Sequence, residues 1–235
     1  MVIRLRQKEQ MVLNMNRRVS MLVFFAVVLA PGSPTAGPAA IPLPGPNRTG
    51  SVSVEAALAG RRSIRAYTKQ SLTRAEVGQL LWAAEGVTSA DGKRTAASAM
   101  HRYPLEIAVI AQNVDGLANG AYRYVPAKHA LETLASAKPE ERLLARATSQ
   151  AQVQSAPAVF VIAAVYERMG PGAKNHTFTD YEAGLASENL MLEAVALGLG
   201  SVVTGGIDAG AVKEAVKFTD GEEVIVVIPV GHPAQ

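Results

Sequence analysis

The sequence predicts an α+β domain. Helix-like and strand-like segments are mixed along the chain without the strict alternation of a parallel α/β fold. The most apolar run, residues 158–165, has the length and β-branched content of a strand buried on both faces. A hydrophobic fraction of 49% against 18% charged residues, over 235 positions, supports one substantial core and excludes a disordered chain.

Each element has its own signal. Ser53 is placed to cap a short helix through Ala59 that Gly60 ends. Thr73-Arg74-Ala75-Glu76 is a capping box. It opens a helix with Val77, Leu80, Leu81 and Ala84 on one face, and Gly86 closes it. Residues 87–103 form a polar loop. Pro104 then introduces a strand, Leu105–Ala111. Residues 122–125 and 130–134 read as two short strands joined by a turn at 126–128, and residues 139–149 as a helix. A long helix is expected over 180–197, apolar nearly all round, which suits either the domain interior or a subunit interface. Residues 201–204 read as a strand and Gly205-Gly206 as a tight turn. Asp208 caps a helix over 210–217, and residues 223–228 form the last strand.

The N-terminus has a different composition. Arg17-Arg18 precede an apolar stretch at 21–30, followed by Pro31, Gly32 and small residues through Ala40. Residues 1–40 therefore read as an export signal. The paired arginines partly match the twin-arginine type, and the expected location is periplasmic or otherwise extracytoplasmic, with a cytoplasmic protein as the alternative. Ten apolar residues are too few to span a bilayer, so no stable membrane span is expected in the mature chain. Residues 41–50, with Pro42, Pro44, Gly45 and Pro46, read as an extended linker outside the core, and residues 51–235 as the domain.

Several functions are excluded or disfavoured. The net charge of +3 is mild and weighted to the first residues, so no nucleic-acid footprint is seen. With no cysteine there is no disulfide, thiolate nucleophile or cysteine-held cluster. The four histidines are widely spaced and no metal site is expected. Gly86 to Gly92-Lys93-Arg94 misses the phosphate-loop pattern by one residue and lacks its Ser/Thr, and no G-x-S-x-G elbow occurs.

Three stretches can carry chemistry. Arg61-Arg62-Ser63-Ile64-Arg65 sets three guanidinium groups and a hydroxyl within five residues, a composition suited to a phosphate and equally to a solvated basic turn. If the stretch is extended, Arg61, Ser63 and Arg65 share a face. Ser98 and Ala99 begin a loop that either offers polar groups to a flat heterocycle or is ordinary surface. Gly205-Gly206 lets backbone approach a ligand, or simply makes a turn. Asp180 and Glu182 read as acids drawn to a helix N-terminus by its dipole, and Trp82 as helix packing.

In order, these pieces resemble the nitroreductase superfamily, and within it the SagB-type dehydrogenase branch. The match runs through Arg61-Arg-Ser-Ile-Arg65, Leu80 to Arg94, Ser98 to Glu106, Gly120-Ala-Tyr-Arg-Tyr124, Glu182-Ala-Gly184 with Asn189, Leu197 to Gly200, Gly205-Gly206 and Pro229-Val-Gly231. The resemblance implies a sandwich with a central, mainly antiparallel sheet, forming an intertwined homodimer with FMN at its interface. It implies that Arg61, Arg62 and Ser63 bind the phosphate and ribityl chain. Arg65 would lie nearer the ring, Ser98 and Ala99 along the ring edge, and Gly205 and Gly206 beside the ring or phosphate. The implied reaction is hydride transfer through flavin N5 between a donor, NAD(P)H, and a small organic acceptor, with no obligatory catalytic side chain. His101 or Tyr103 could supply a proton to the acceptor. The alternatives are a SagB-type dehydrogenase that oxidises its substrate without NAD(P)H, and a redox-inert flavin-binding protein. Met100-His101-Arg102 replaces the branch's Gly-Ala-Leu, a bulkier and basic insert.

Overall fold

A computed structural model describes residues 40–138 and 141–234. The chain runs β1 (Ile41–Pro42), α1 (Val54–Gly60), β2 (Leu72–Thr73), α2 (Arg74–Glu85), β3 (Leu105–Ala111), β4 (Val114–Asp115), β5 (Gly120–Val125), β6 (Ala130–Ser136), α3 (Ala151–Ser155), β7 (Ala158–Ala164), α4 (Ala173–Ala196), β8 (Gly200–Ser201), α5 (Ala209–Val216) and β9 (Glu223–Gly231). Apart from Ala40, the expected export signal lies outside the described residues.

Local chemistry sets the helix starts. The Ser53 hydroxyl accepts from the Ala56 N–H at 3.1 Å and starts α1. The capping box at α2 is complete: Thr73 Oγ1 accepts from the Glu76 N–H at 3.1 Å, and Glu76 Oε2 accepts from the Thr73 N–H at 2.7 Å. Asp208 Oδ1 accepts from the Ala211 N–H at 3.0 Å and starts α5. Each such cap contributes about 1 kcal/mol.

Seven strands form one sheet in the order β1-β6-β5-β3-β7-β9-β8, antiparallel at every junction, while β2 and β4 make a separate parallel pair. The α+β class is as the sequence pattern predicts, and the central antiparallel sheet is as the resemblance implies. Period-two alternation divides the strands between two cores. Ile107, Val109, Phe160, Ile162 and Ile228 face α2 and α4, where they meet Leu80, Leu81 and Leu190. Ala108, Ile110, Val159, Val161 and Val227 face the other way, onto Val212, Val216 and Phe218. With both faces covered, β7 has no position for a polar residue, and all seven of its residues are buried.

Three elements differ from expectation. The long helix begins at Ala173 rather than near Asp180, because its first two turns are polar and show no apolar period; the Asn175 amide braces the start by donating to the carbonyls of Met169, Gly170 and Pro171. The helix expected over 139–149 does not form across the described residues 141–149, where 143–147 only turn. There the Gln154 amide takes the Leu144 and Thr148 carbonyls, an alternative partner for groups a helix would have used. The strand expected over 201–204 is regular only at Gly200–Ser201, with Thr204 pairing singly with Val227.

The 41–50 stretch is extended, yet part of it is core. Ile41 and Pro42 pair with Leu131 and Ala130, the Leu43 N–H donates to the His129 carbonyl at 3.1 Å, and the Leu43 side chain is buried. Proline is tolerated here because β1 is an edge strand. Among the described residues no helix is long and apolar enough to cross a membrane.

Candidate functional site

The 61–65 stretch is docked along the β8 edge of the sheet. The Ile64 N–H donates to the Ser201 carbonyl at 3.0 Å, and Ser63 runs parallel to Ser201. The Tyr67 hydroxyl donates within reach of both the Ile64 and Pro229 carbonyls, at 2.8 and 3.0 Å, and its burial pushes the phenol well above its ordinary range. Two glycines make this approach possible. A Cβ at Gly200 would stand 2.6 Å from Ile64 Cγ2, and one at Gly231 would stand 2.7 Å from Pro157 Cδ and 3.0 Å from Tyr67. Gly200 and Gly231 are partners across β8 and β9, so the sheet presents a bare strip of backbone just where the segment lies. Ile64 turns inward onto it, leaving Ser63 and Arg65 exposed.

The three arginines are not equivalent. The Arg61 backbone N–H closes α1 on the Ala57 carbonyl, and its Nε lies 3.6 Å from Glu188 of α4. Arg62 folds back, donating to the Ala59 and Arg61 carbonyls at 3.0 and 2.7 Å, where it meets the negative end of α1. Arg65 has neither hydrogen bond nor ion pair to any described residue. A free guanidinium thus stands beside an exposed hydroxyl.

Gly205 and Gly206 follow Thr204 at the middle of β9. The Gly206 carbonyl accepts from Gln150 Nε2 at 2.7 Å. A Cβ at Gly205 would meet nothing within 4 Å, and its φ is not in the left-handed region, so packing within the chain does not demand glycine there. The Thr204 hydroxyl is buried without a partner among the described residues. Open space, a bare backbone and an orphaned hydroxyl are features a ligand would use.

The 98–103 loop is held quite differently. Ser98 Oγ accepts from the Tyr103 N–H at 2.8 Å, and the Ala99 N–H donates to Glu182 Oε1 at 2.7 Å. Arg94 lies over the Tyr103 ring, 4.4 Å from its centre, and pairs at 2.9 Å with the buried carboxylate of Glu85. Burial pushes the Glu85 carboxyl up to about 7, while Arg94 pulls the other way. Glu106 lies nearby and holds both Arg123 and Arg168, the former at 2.6 Å. Glu182 corrects the sequence reading: it sits mid-helix and buried, not at a helix N-terminus, and Asp180 instead accepts the Tyr166 hydroxyl at 2.7 Å.

The fold brings the 61–65 segment and the glycine pair to one edge, although some 140 positions separate them in sequence. The strand that Ser98 and Ala99 precede, β3, starts at the other end of the sheet. In register, Ser201 aligns with Val230 and Ala158, whereas Leu105 aligns with Ala164 at the other end of β7. At about 3.4 Å per residue those rows are roughly 20 Å apart. A separate cleft of about 310 Å³ lies between α1, α2 and α4, lined by Trp82, Thr95, Asn189 and Glu193 among others and by none of the eight expected residues.

The Nitroreductase family profile matches residues 58–232, a span containing both regions. The chain belongs to the nitroreductase family. A nitroreductase homologue from Methanocaldococcus jannaschii is 35% identical over 183 residues, covering 77% of this chain and 91% of the relative. The crystal structure of a nitroreductase homologue from Ralstonia eutropha JMP134 superposes with a TM-score of 0.73 at 31% identity, over 85% of this chain and 94% of that one. One from Desulfovibrio desulfuricans, crystallised with FMN, gives a TM-score of 0.57 at 25% identity, over 77% and 87% of the two chains.

Proposed function

We propose that this nitroreductase-family protein is an FMN-dependent oxidoreductase that works as a homodimer. The observation that carries the reading is the docked 61–65 segment, which sets an unpaired Arg65 and an exposed Ser63 along the same edge as the open Gly205. That donor set fits a phosphate on a flat, hydrogen-bonding ring system. The FMN complex of the Desulfovibrio desulfuricans relative supports the same choice.

In this reading Arg61, Arg62 and Ser63 hold the phosphate and ribityl chain. Arg61 and Arg62 give up an exposed ion pair and two helix-end contacts to do so, neither of which is strong. Arg65 places its positive charge toward the ring, and Gly205 and Gly206 offer backbone beside it. When bound, FMN would supply hydride transfer through its N5. The chain's own work is to hold the cofactor, to set a positive charge near the ring, and to shape the space above it. Ser98 and Ala99 would line the edge of the ring. An apolar surface supports the dimer: Val54 and Leu58 on α1 and Tyr181 and Leu185 on α4 are all exposed.

The donor in this reading is NAD(P)H and the acceptor a small organic molecule. The export signal expected in residues 1–40 favours a second reading, since a protein outside the cytoplasm has no nicotinamide supply. In it, a SagB-type dehydrogenase draws electrons from its substrate and passes them on. Anaerobic mixing with NADH or NADPH separates the two, because only the first reading expects the yellow colour to bleach. The deciding experiment is earlier still: purified protein should be yellow or take up added FMN, and Arg61→Ala and Ser63→Ala should each weaken FMN by about tenfold without lowering the melting temperature. A colourless protein that ignores added FMN, or two variants with unchanged affinity, would remove the site from this edge.

A further inference from the structure

We propose that Glu182 is a positioning residue, whose buried carboxylate holds the 98–103 loop in the strained shape it presents to the cofactor; the loop's place at the cofactor rests on the flavin reading above. Glu182 is 4% exposed in the middle of α4. It makes no ion pair among the described residues, and its Oε2 has no partner there. Its one hydrogen bond, from the Ala99 N–H to Oε1 at 2.7 Å, joins elements 83 positions apart. A carboxylate is costly to bury without a counter-ion, so its retention points to the group it grips.

That group is the first amide of an unusual turn. Met100, His101 and Tyr103 all lie in the left-handed region, with φ of 55°, 54° and 46°. Non-glycine side chains avoid this region, and three within four positions do not persist unless their surroundings impose them. The far end of the turn is imposed by several contacts. Tyr103 donates to Ser98 Oγ, lies beneath Arg94, and lends its carbonyl to Arg168 at 3.1 Å. At the near end the Ser98 carbonyl accepts only from within the turn, from the His101 N–H at 3.2 Å, and among the described residues the Ala99 amide has Glu182 as its one anchor outside the turn. With both ends fixed, Met100 is thrust outward, 62% exposed, with His101 and Arg102 exposed beside it. Released at Ala99, the turn would relax to ordinary φ values and these three side chains would change direction. Glu182 thus shapes the rim of the site without touching what binds in it.

The test uses the full chain as wild type, Glu182→Gln, Glu182→Ala, and Glu182→Ala combined with Met100→Gly, each followed by backbone hydrogen exchange and by titration with FMN. Glu182→Ala should speed exchange in the 98–103 peptide about tenfold while β3 and β7 stay protected, and should weaken FMN by a similar factor. Glu182→Gln keeps an acceptor oxygen and should stay within about threefold of wild type in both measurements. Adding Met100→Gly to Glu182→Ala should recover FMN affinity, because glycine accepts the left-handed turn unaided. The proposal is overturned by a Glu182→Ala protein with wild-type exchange and affinity, or by a Glu182→Gln protein whose loop is freed. Should Glu182→Ala not fold, the Glu182→Gln exchange pattern decides alone. If wild type takes up no FMN, the flavin reading fails, and exchange at Ala99 still tests the anchor.

Discussion

The 61–65 segment lies on the sheet edge because the residues beneath it are small, whereas the 98–103 loop stands over α4 because the residues beneath it are charged. The first is docked by backbone: the Ile64 amide on the Ser201 carbonyl, and bare Gly200 and Gly231 below. The second is docked by buried side chains, Glu182 on the Ala99 amide and Glu85 on Arg94. Backbone docking is indifferent to pH and leaves the outward side chains free for a ligand. Side-chain docking in a low-dielectric interior is strong only while every charge has its partner. The difference assigns them different tasks, a fixed cradle for an anion and a shaped rim.

The largest effect should come from breaking the charged side. Arg94→Leu leaves Glu85 buried without its partner, and should cost about 3–5 kcal/mol at pH 8. The cost should shrink at pH 5. Burial raises the folded Glu85 carboxyl from 4.5 to about 7, so between these values the folded chain holds a proton that the unfolded chain has lost. Stability from this group therefore falls as pH rises through that window. Removing Arg94 takes away the cause that opposed the rise, which extends the window upward and deepens the loss. Urea unfolding at pH 5 and pH 8 reads this directly, and a cost independent of pH would show that Glu85 is not the group left exposed to the change.

The backbone side should respond differently. Gly200→Val places a branched side chain where Ile64 already stands, and should cost about 1–3 kcal/mol by overpacking. The cost should be the same at pH 5 and pH 8, and FMN affinity should fall with it, since Ser63 and Arg65 ride on the displaced segment. A Gly200→Val protein of unchanged stability would mean that the segment is not seated on the β8 and β9 glycines.

The same contrast explains what the sequence made legible. The arginine-serine cluster, the capping box at Thr73 and the apolar run of β7 are written in neighbouring residues, where composition and period suffice. Glu182 was misread because its meaning depends on Ala99, 83 positions away, and because the polar opening of α4 hid where that helix begins. Leu43 was lost among prolines although it packs into the core, for a single apolar residue has no period to reveal it. The 143–147 turns are fixed by Gln154 amide contacts that a helical pattern cannot show. No local signal marked the roles of Gly200 and Gly231 either. Each looks like ordinary punctuation until Ile64 and Tyr67 are seen to lie against it.

The smallest effect tests whether the rim is strained at all. Met100 holds φ 55° and ψ 19° with its side chain largely in solvent, so little packing is lost when that side chain is removed. Glycine at the same position adopts the left-handed region without a Cβ clash, at the expense of a more flexible unfolded chain. The first term is the larger, and Met100→Gly should raise stability by about 1 kcal/mol, read as a higher urea midpoint at constant slope. No such gain is expected from Leu58→Gly on α1, an equally exposed residue in ordinary helical geometry, where glycine should instead cost about 1 kcal/mol. Opposite signs at two exposed hydrophobic positions would locate the strain in the backbone of the loop. A loss at both would mean that Met100 is held by contacts rather than against its own preference, and that Glu182 has nothing to restrain.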